Sequence, residues 1–246
     1  MENEWDQIAE EFSQHTIGKI GGVHRQTVIG PNILRVVSEL PTGAKILDLG
    51  CGEGYVPRLI ADKPVEIVGV DFSQKLIDIA KQRNTPGNLF VADICQPLNI
   101  EDDFDLVISN MVFMDVENLE MAFRNAYNAL KLGGSLLIFI SHPAFTLPAG
   151  RWAKTLIMKL LRQDPFIRID KYFSVGAQRI LIPRVTKKTT IYHRPIMEYV
   201  NMPLAMGFRL TEFKELAPTF EKARDIKKKT FISEIPQILM LRFTKD

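Results

Sequence analysis

A chain of 246 residues with 46% hydrophobic and 24% charged residues can bury a sizeable core and is too apolar for a disordered or fibrous class. Its two cysteines, Cys51 and Cys95, cannot build a disulfide framework, and no CxxC or HExxH pair offers a metal site, so a reducing cytoplasm and no metal are expected. Net charge is +2, yet the stretch from Arg151 to Arg194 carries eleven Lys or Arg against Asp164 and Asp170, a local +9 that leaves −7 for the rest.

The chain opens on MENEWDQIAEEF, an acidic amphipathic stretch without the basic start of a secretory signal, and no apolar run nears the roughly 18 residues of a membrane span. Short apolar runs then alternate with amphipathic ones, the pattern of βαβ units around a parallel sheet. This predicts strands at Lys45–Leu49, Glu66–Val70, Asn88–Val91, Leu106–Ser109 and Ser135–Ile140. Ser73 is placed to cap a helix over QKLIDIAKQR, with Leu76, Ile77 and Ala80 on its inner face. Asn118 is placed to open LEMAFRNAYNALKLGG, which Gly133 and Gly134 should end. After Ile140 the alternation stops for about fifty basic, proline-punctuated residues. It resumes with a helix at Pro195–Met206 ended by Gly207, then strands at Phe208–Phe213 and Gln237–Phe243, seven strands in all.

KILDLGCGEG puts Gly50, Gly52 and Gly54 between the first strand and a helix, where the backbone can turn sharply and approach a bound group. Asp48, two residues before the first glycine, and Glu53 inside the loop would repel a pyrophosphate, so a positively charged ligand is the better match. S-adenosylmethionine carries such charge on its sulfonium and ammonium groups, and its ribose and adenine need partners of their own. Asp71 ends the second strand in IVGVDFS, where a carboxylate can accept both ribose hydroxyls. Asp93 ends the third in LFVADI, placed for the adenine amine, with Phe72 and Ile94 flanking the ring. The bland reading of either aspartate is a cap on the following helix. Cys51 suits a tight loop by its size, and with Ser73, Asn110 and Met111 it completes the expected cofactor contacts.

ILDLGCGEG, GVDFS, ADI, FDLVISNMVFMDV and LKLGGSLLIFISHPAF, in this order over about residues 40–145, resemble the class I S-adenosylmethionine-dependent methyltransferases in their small-molecule, type 11-like branch. The resemblance implies an α/β, Rossmann-like fold: a seven-stranded, mostly parallel sheet with the seventh strand antiparallel and helices on both faces. It implies one methyltransferase domain over 1–246, with a helical cover at 1–40, a cofactor-binding core at 41–141, an acceptor-site insertion at 142–194, and a final helix with strands six and seven at 195–246. The cofactor would be S-adenosyl-L-methionine and the product S-adenosyl-L-homocysteine.

Methyl transfer is an in-line displacement, so positioning can supply much of the rate, and a base helps only where the acceptor loses a proton. His142 follows the fifth strand in FISHPAF and His193 sits in TIYHRP; both are candidate bases, His193 preferred for its polar neighbours Tyr192 and Arg194. Tyr172, Tyr192, Arg194 and Phe113 are the expected acceptor contacts. The bland reading of each histidine, His15 and His24 included, is a ring satisfied by hydrogen bonds. SNMVF after strand four lacks the (N/D)PP(Y/F) of adenine-N6 methyltransferases, and the basic segment lacks the interleaved aromatics of a single-strand RNA surface. The expected acceptor is therefore a small molecule, peptide-derived or quinone-like, methylated on O or N in secondary metabolism, with RNA or a membrane-associated lipid or quinone as alternatives. GRWAKTLIMKLLRQ suits a basic amphipathic helix acting as a lid, or alternatively lying on an anionic membrane. The competing class is a methyltransferase-like protein that binds the cofactor without transfer.

Overall fold

The computed structural model describes residues 3–17, 19–100, 103–153, 166–182, 185–218 and 234–246. Helices α1 (Glu4–Ile17) and α2 (Lys19–His24), a π-helical turn (Arg25–Ile29) and α3 (Gly30–Ser38) lead into the alternating part. There β1 (Ala44–Leu49), α4 (Tyr55–Leu59), β2 (Val65–Asp71), α5 (Gln74–Gln82), β3 (Asn88–Val91), β4 (Phe104–Asn110), α6 (Leu119–Ala129) and β5 (Leu130–Ser141) follow one another. Four short strands come next: β6 (Gly150–Ala153), β7 (Phe166–Ile169), β8 (Gly176–Leu181) and β9 (Lys188–His193). The chain closes with α7 (Ile196–Ala205), β10 (Phe208–Leu216) and β11 (Ile238–Lys245).

The main sheet has the order β10-β11-β5-β4-β1-β2-β3. β1 pairs in parallel with β2 and β4, whereas β11 runs antiparallel to both β5 and β10. This is the seven-stranded Rossmann-like arrangement expected, with the last strand reversed. Side-chain alternation divides the core between the two sheet faces. Leu47, Val107, Ile138 and Leu241 point to one face, packing with Phe123 of α6 and Tyr199 of α7. Ile46, Ile108, Phe139 and Met240 point to the other, packing with Ile33 and Val36 of α3. Both faces are covered, which leaves the strand ends as the place for a ligand.

The local signals hold at α5 and α6, where Ser73 Oγ accepts from Leu76 N at 3.1 Å and Asn118 accepts from Met121 N at 3.0 Å. They fail at the end of α6: the helix stops at Ala129, and Gly133 and Gly134 lie inside β5, where the pairing with β4 slips between Leu130 and Ser135. The post-β5 segment is also more extended than expected. Gly150–Ala153 is a strand paired with β7, and β8 pairs with β9, so the first residues of the expected GRWA helix are in a ribbon; residues 154–165 lie outside the described residues. Among the described residues no helix is long and apolar enough to cross a membrane, and no cluster of ligating side chains could hold a metal.

Candidate active site

A cavity of about 360 Å³ opens where the carboxyl ends of β1, β2 and β4 meet the turn after β3. Its floor is the glycine loop. Gly50 and Cys51 donate backbone N–H bonds to Val70 O at 2.8 and 2.9 Å, folding the loop back over β2. Gly50 has φ +81°, and a Cβ there would run into the side chain of Val112, so only glycine lets β1 pass this close to the turn after β4. Gly54, at φ +83°, is the left-handed residue that opens α4; it shapes the loop without lining the cavity.

Asp48, Asp71 and Asp93 all line the cavity, as do Gly50, Cys51, Gly52, Phe72 and Ile94. Each oxygen of Asp71 already accepts a backbone donor, Oδ2 from Gly52 N and Oδ1 from Ser73 N, both at 2.8 Å. The carboxylate thus ties the glycine loop to the start of α5. It keeps spare lone pairs, since an ionised carboxylate has about four acceptor sites. Burial raises its pKa to about 6, against the pull of the Ser73 and Gly52 N–H groups. Asp93 similarly braces its own turn, accepting from Cys95 N at 2.8 Å. Asp48 is different: it is 1% exposed, and neither of its oxygens meets a donor among the described residues. Burial, and after it the charge of Asp71, raises its pKa to about 8, while Arg25 pulls the other way.

Asn110 and Met111 end β4 and line the same space. Met111 holds φ +61°, a left-handed conformation that costs a non-glycine residue about 1 kcal/mol and is fixed by its N–H bond to Phe139 O at 2.7 Å. The strained residue turns the chain over the cavity, bringing Asp115, Val116 and Glu117 to its wall. Tyr192 of β9 reaches the same wall, anchored by its N–H bond to Met114 O at 2.8 Å.

The remaining wall comes from residues that the sequence reading did not assign. Glu4, Trp5 and Phe12 of α1 line the cavity, and Asp6 fixes the helix there by accepting from Ser73 Oγ at 2.6 Å and Lys75 N at 3.1 Å. The amphipathic amino-terminal stretch was the signal for them, though not for which residues face inward. Arg25 also lines the cavity, its guanidinium over the Tyr55 ring at 4.3 Å and bonded to Glu53 at 2.8 Å. Glu53 therefore does not offer a free charge to a cation: Arg58 and Arg83 hold its other oxygen. Glu53 lines the cavity as the loop predicts, but its charge is spent on arginines rather than on a cationic ligand.

Several expected residues lie elsewhere. His193 and His142 are buried and outside the cavity lining. His193 Nε2 is bonded to Tyr172 O and His142 Nε2 to Glu215 Oε1, each at 2.8 Å. Burial lowers the His142 pKa more than Glu215 raises it. Each ring thus has a hydrogen-bond partner outside the cavity. Phe113 is core, edge-on to Phe123 at 5.0 Å. Arg194 is buried and donates to Val116 O at 2.8 Å and Glu117 O at 2.7 Å, so it props the cavity wall from behind. The Tyr172 hydroxyl accepts from Ile196 N at 2.9 Å, and Ser73 is the cap of α5; neither lines the cavity. His24 is bonded to Gln237 at 2.8 Å, and the side chain of His15 lies outside the described residues. His193→Gln and His142→Gln are accordingly expected to cost about 1–2 kcal/mol of stability each and to leave S-adenosylmethionine affinity within about twofold, read by urea unfolding and titration calorimetry. A tenfold loss of affinity without loss of stability would return a ring to the site.

Comparison with known proteins agrees with this geometry. Residues 47–138 match the family model described as a methyltransferase domain. The malonyl-[acyl-carrier protein] O-methyltransferase of Bacillus anthracis is 33% identical over 96 residues, 38% of this chain and 36% of that protein. The tRNA 5-carboxymethoxyuridine methyltransferase of Escherichia coli is 28% identical over 152 residues, 58% of each. The chain thus spans between about a third and three fifths of the length of these curated relatives. An S-adenosylmethionine-dependent methyltransferase from Mesorhizobium loti superposes with a TM-score of 0.71 at 25% identity, covering 87% of this chain and 96% of that one. Residues 47–138 thus match a methyltransferase domain, and the sheet built around them has the fold of the S-adenosylmethionine-dependent methyltransferase from Mesorhizobium loti.

Proposed function

We propose that this protein transfers a methyl group from S-adenosylmethionine to a nitrogen or oxygen of a small-molecule or peptide-derived acceptor. The observation that carries the reading is Asp48, a buried carboxyl without a described donor, facing a cavity built on a glycine loop. Such a group is costly unless a ligand answers it. The ammonium of S-adenosylmethionine has the charge to do so. In this reading Asp71 accepts from the ribose hydroxyls with its spare lone pairs, Asp93 from the adenine amine, and Phe72 and Ile94 flank the ring; Gly50, Cys51, Gly52, Asn110 and Met111 shape the remaining contact surface. Bound there, the cofactor supplies a methyl group made electrophilic by the sulfonium. Trp5 and Phe12 close over it and exclude water.

The named relatives act on a protein-bound malonyl group and on a tRNA nucleoside, so acceptors differ within the family. For this chain a nucleic acid is disfavoured by the acidic cavity wall at Asp115 and Glu117, which would meet phosphates with like charge. The ribbons β6–β7 and β8–β9, with the segments around them, are the acceptor-side insertion of the proposed domain, and residues 41–141 its cofactor core. The two free cysteines fit a reducing cytoplasm.

The test follows from the Asp48 proton. With a pKa of about 8 the carboxyl is mostly protonated at pH 7, and a bound cation requires it ionised. S-adenosylmethionine binding at pH 7 is therefore expected to release close to one proton. Calorimetry in two buffers of different ionisation heat counts it. Asp48→Asn should abolish the release and weaken binding by about tenfold or more. Equal proton counts in the two proteins would sink the assignment of Asp48 to the ligand.

A further inference from the structure

We infer that the acceptor is an amine that enters as its ammonium and is methylated on nitrogen, and that Asp115 is the residue that receives it. This rests on the proposed cofactor reading and narrows it from two acceptor atoms to one.

The charge lining the cavity is the first reason. Among the described residues seven carboxylates and one cation, Arg25, line it, with no lysine or histidine. Most of the seven are accounted for. Glu53 is answered by three arginines, and Asp71 and Asp93 are braced by backbone N–H groups. Glu4 is held by Arg179 at 2.5 Å and by Thr190 N at 2.9 Å. Asp48 is matched by the cofactor's own ammonium. Glu117 is met by the Tyr192 hydroxyl, which leaves Asp115, on the turn that the strained Met111 throws over the cavity.

The second reason is independent of that count. With Asp48 matched to the cofactor, one buried acceptor of the same cavity still waits for a donor among the described residues, Oδ1 of Asn110 at the foot of the Asp115 turn. The Asp115 backbone N–H donates to Val112 O at 2.7 Å, but its carboxyl has no hydrogen-bonded or ion-paired partner among the described residues, and burial followed by the charge of Glu4 raises its pKa well above the usual carboxylate range. Tyr192 lines the same cavity, its hydroxyl pKa pushed up by burial and by Glu117 and Glu4. The Asp115 carboxyl and Asn110 Oδ1 are thus acceptors without donors on one wall, an arrangement that suits a cation and opposes a carboxylate.

The chemistry balances on this arrangement. The ammonium gives one proton to the Asp115 carboxylate, which exposes the nitrogen lone pair. That pair forms the nitrogen–carbon bond as the carbon–sulfur bond breaks and its electrons pass to sulfur. Asp115 then returns the proton to solvent. A raised carboxyl pKa brings the base closer to the amine it must deprotonate.

Two probes built on S-adenosylhomocysteine decide it, because they dock through the cofactor site and need no known acceptor. In both the sulfur is replaced by a nitrogen, which carries an aminoethyl arm in one and a carboxymethyl arm in the other. Calorimetry should show the aminoethyl probe binding at least tenfold tighter to the wild-type protein. Asp115→Asn should reduce that preference to threefold or less, and Asp115→Glu should keep it. A wild-type preference below tenfold, or one undiminished in Asp115→Asn, overturns the inference; if Asp115→Asn does not fold, the wild-type comparison and Asp115→Glu still decide. Failure of S-adenosylhomocysteine itself to bind would instead overturn the cofactor reading, so the two failures are distinct.

Discussion

Asp71→Ala is expected to weaken S-adenosylmethionine binding by roughly a hundredfold or more, with Asp71→Asn in between. The carboxylate does two things at once. It holds Gly52 N at 2.8 Å, which fixes the glycine loop against β2, and Ser73 N at 2.8 Å, which fixes the start of α5. In the proposed complex its remaining lone pairs accept the two ribose hydroxyls, and hydrogen bonds to a charged group are each worth about 1.5–3 kcal/mol. Alanine removes both sets, so the ligand loses two bonds and meets a looser loop; asparagine keeps one acceptor and misplaces a donor. The pH dependence has a definite sign. Folding raises this carboxyl from 3.8 to about 6, so its ionisation opposes folding as pH climbs between those values, and Asp71→Asn should flatten that part of the stability profile. Titration calorimetry and urea unfolding across that window read both. An affinity within threefold of wild type would leave Asp71 a loop brace and nothing more.

The sheet and the cofactor end of the cavity were legible because their signals are local. A glycine loop after an apolar run, an aspartate closing the next run, and Ser73 or Asn118 ahead of an amphipathic stretch each state their own geometry within a few residues. The acceptor end was not, because proximity in the chain to a strand end does not say which way a ring points. His142 directly follows β5, yet its ring turns to Glu215 on β10, seventy-three residues on. His193 ends β9 and turns back to Tyr172. Arg194 looked like an orienting cation and is instead spent on two carbonyls behind the wall. Asp115 left one trace, a lone acid inside the apolar NMVFMDV run, and its meaning depended on the left-handed turn at Met111, which methionine does not announce. The ribbon strands are short and carry exposed apolar residues such as Phe173 and Val175 beside them, so their periodicity was too weak to separate from a loop.

Glu53→Gln is expected to be the most destabilising single change, at about 3 kcal/mol, because it unbalances a buried charge cluster without altering its size. Glu53 is 1% exposed; Arg25 meets one of its oxygens at 2.8 Å, and Arg83, at 2.8 Å, shares the other with Arg58. Arg83 also reaches Ser13 Oγ at 3.1 Å, and Arg58 reaches Thr85 Oγ1 at 3.0 Å, so one carboxylate joins α1, the π-helical turn and the end of α5 to the glycine loop. A glutamine keeps the shape and leaves three guanidinium groups facing one another at low solvent exposure. Burial alone would raise the Glu53 pKa, but Arg25 and then Arg58 outweigh it and hold the carboxyl below its usual value of 4.5. A depressed folded pKa means that the contribution is complete above that value and is lost as pH falls through the lower folded one. The gap between wild type and Glu53→Gln should therefore be full at pH 7 and shrink steadily below about pH 4.5, where the wild-type carboxyl takes up the proton that the amide already mimics. Urea unfolding of both proteins at a series of pH values measures this directly. A gap under 1 kcal/mol at pH 7, or one that does not change on acidification, would mean that solvent rather than Glu53 neutralises the three arginines, and that the amino-terminal helices are held to the glycine loop by packing alone.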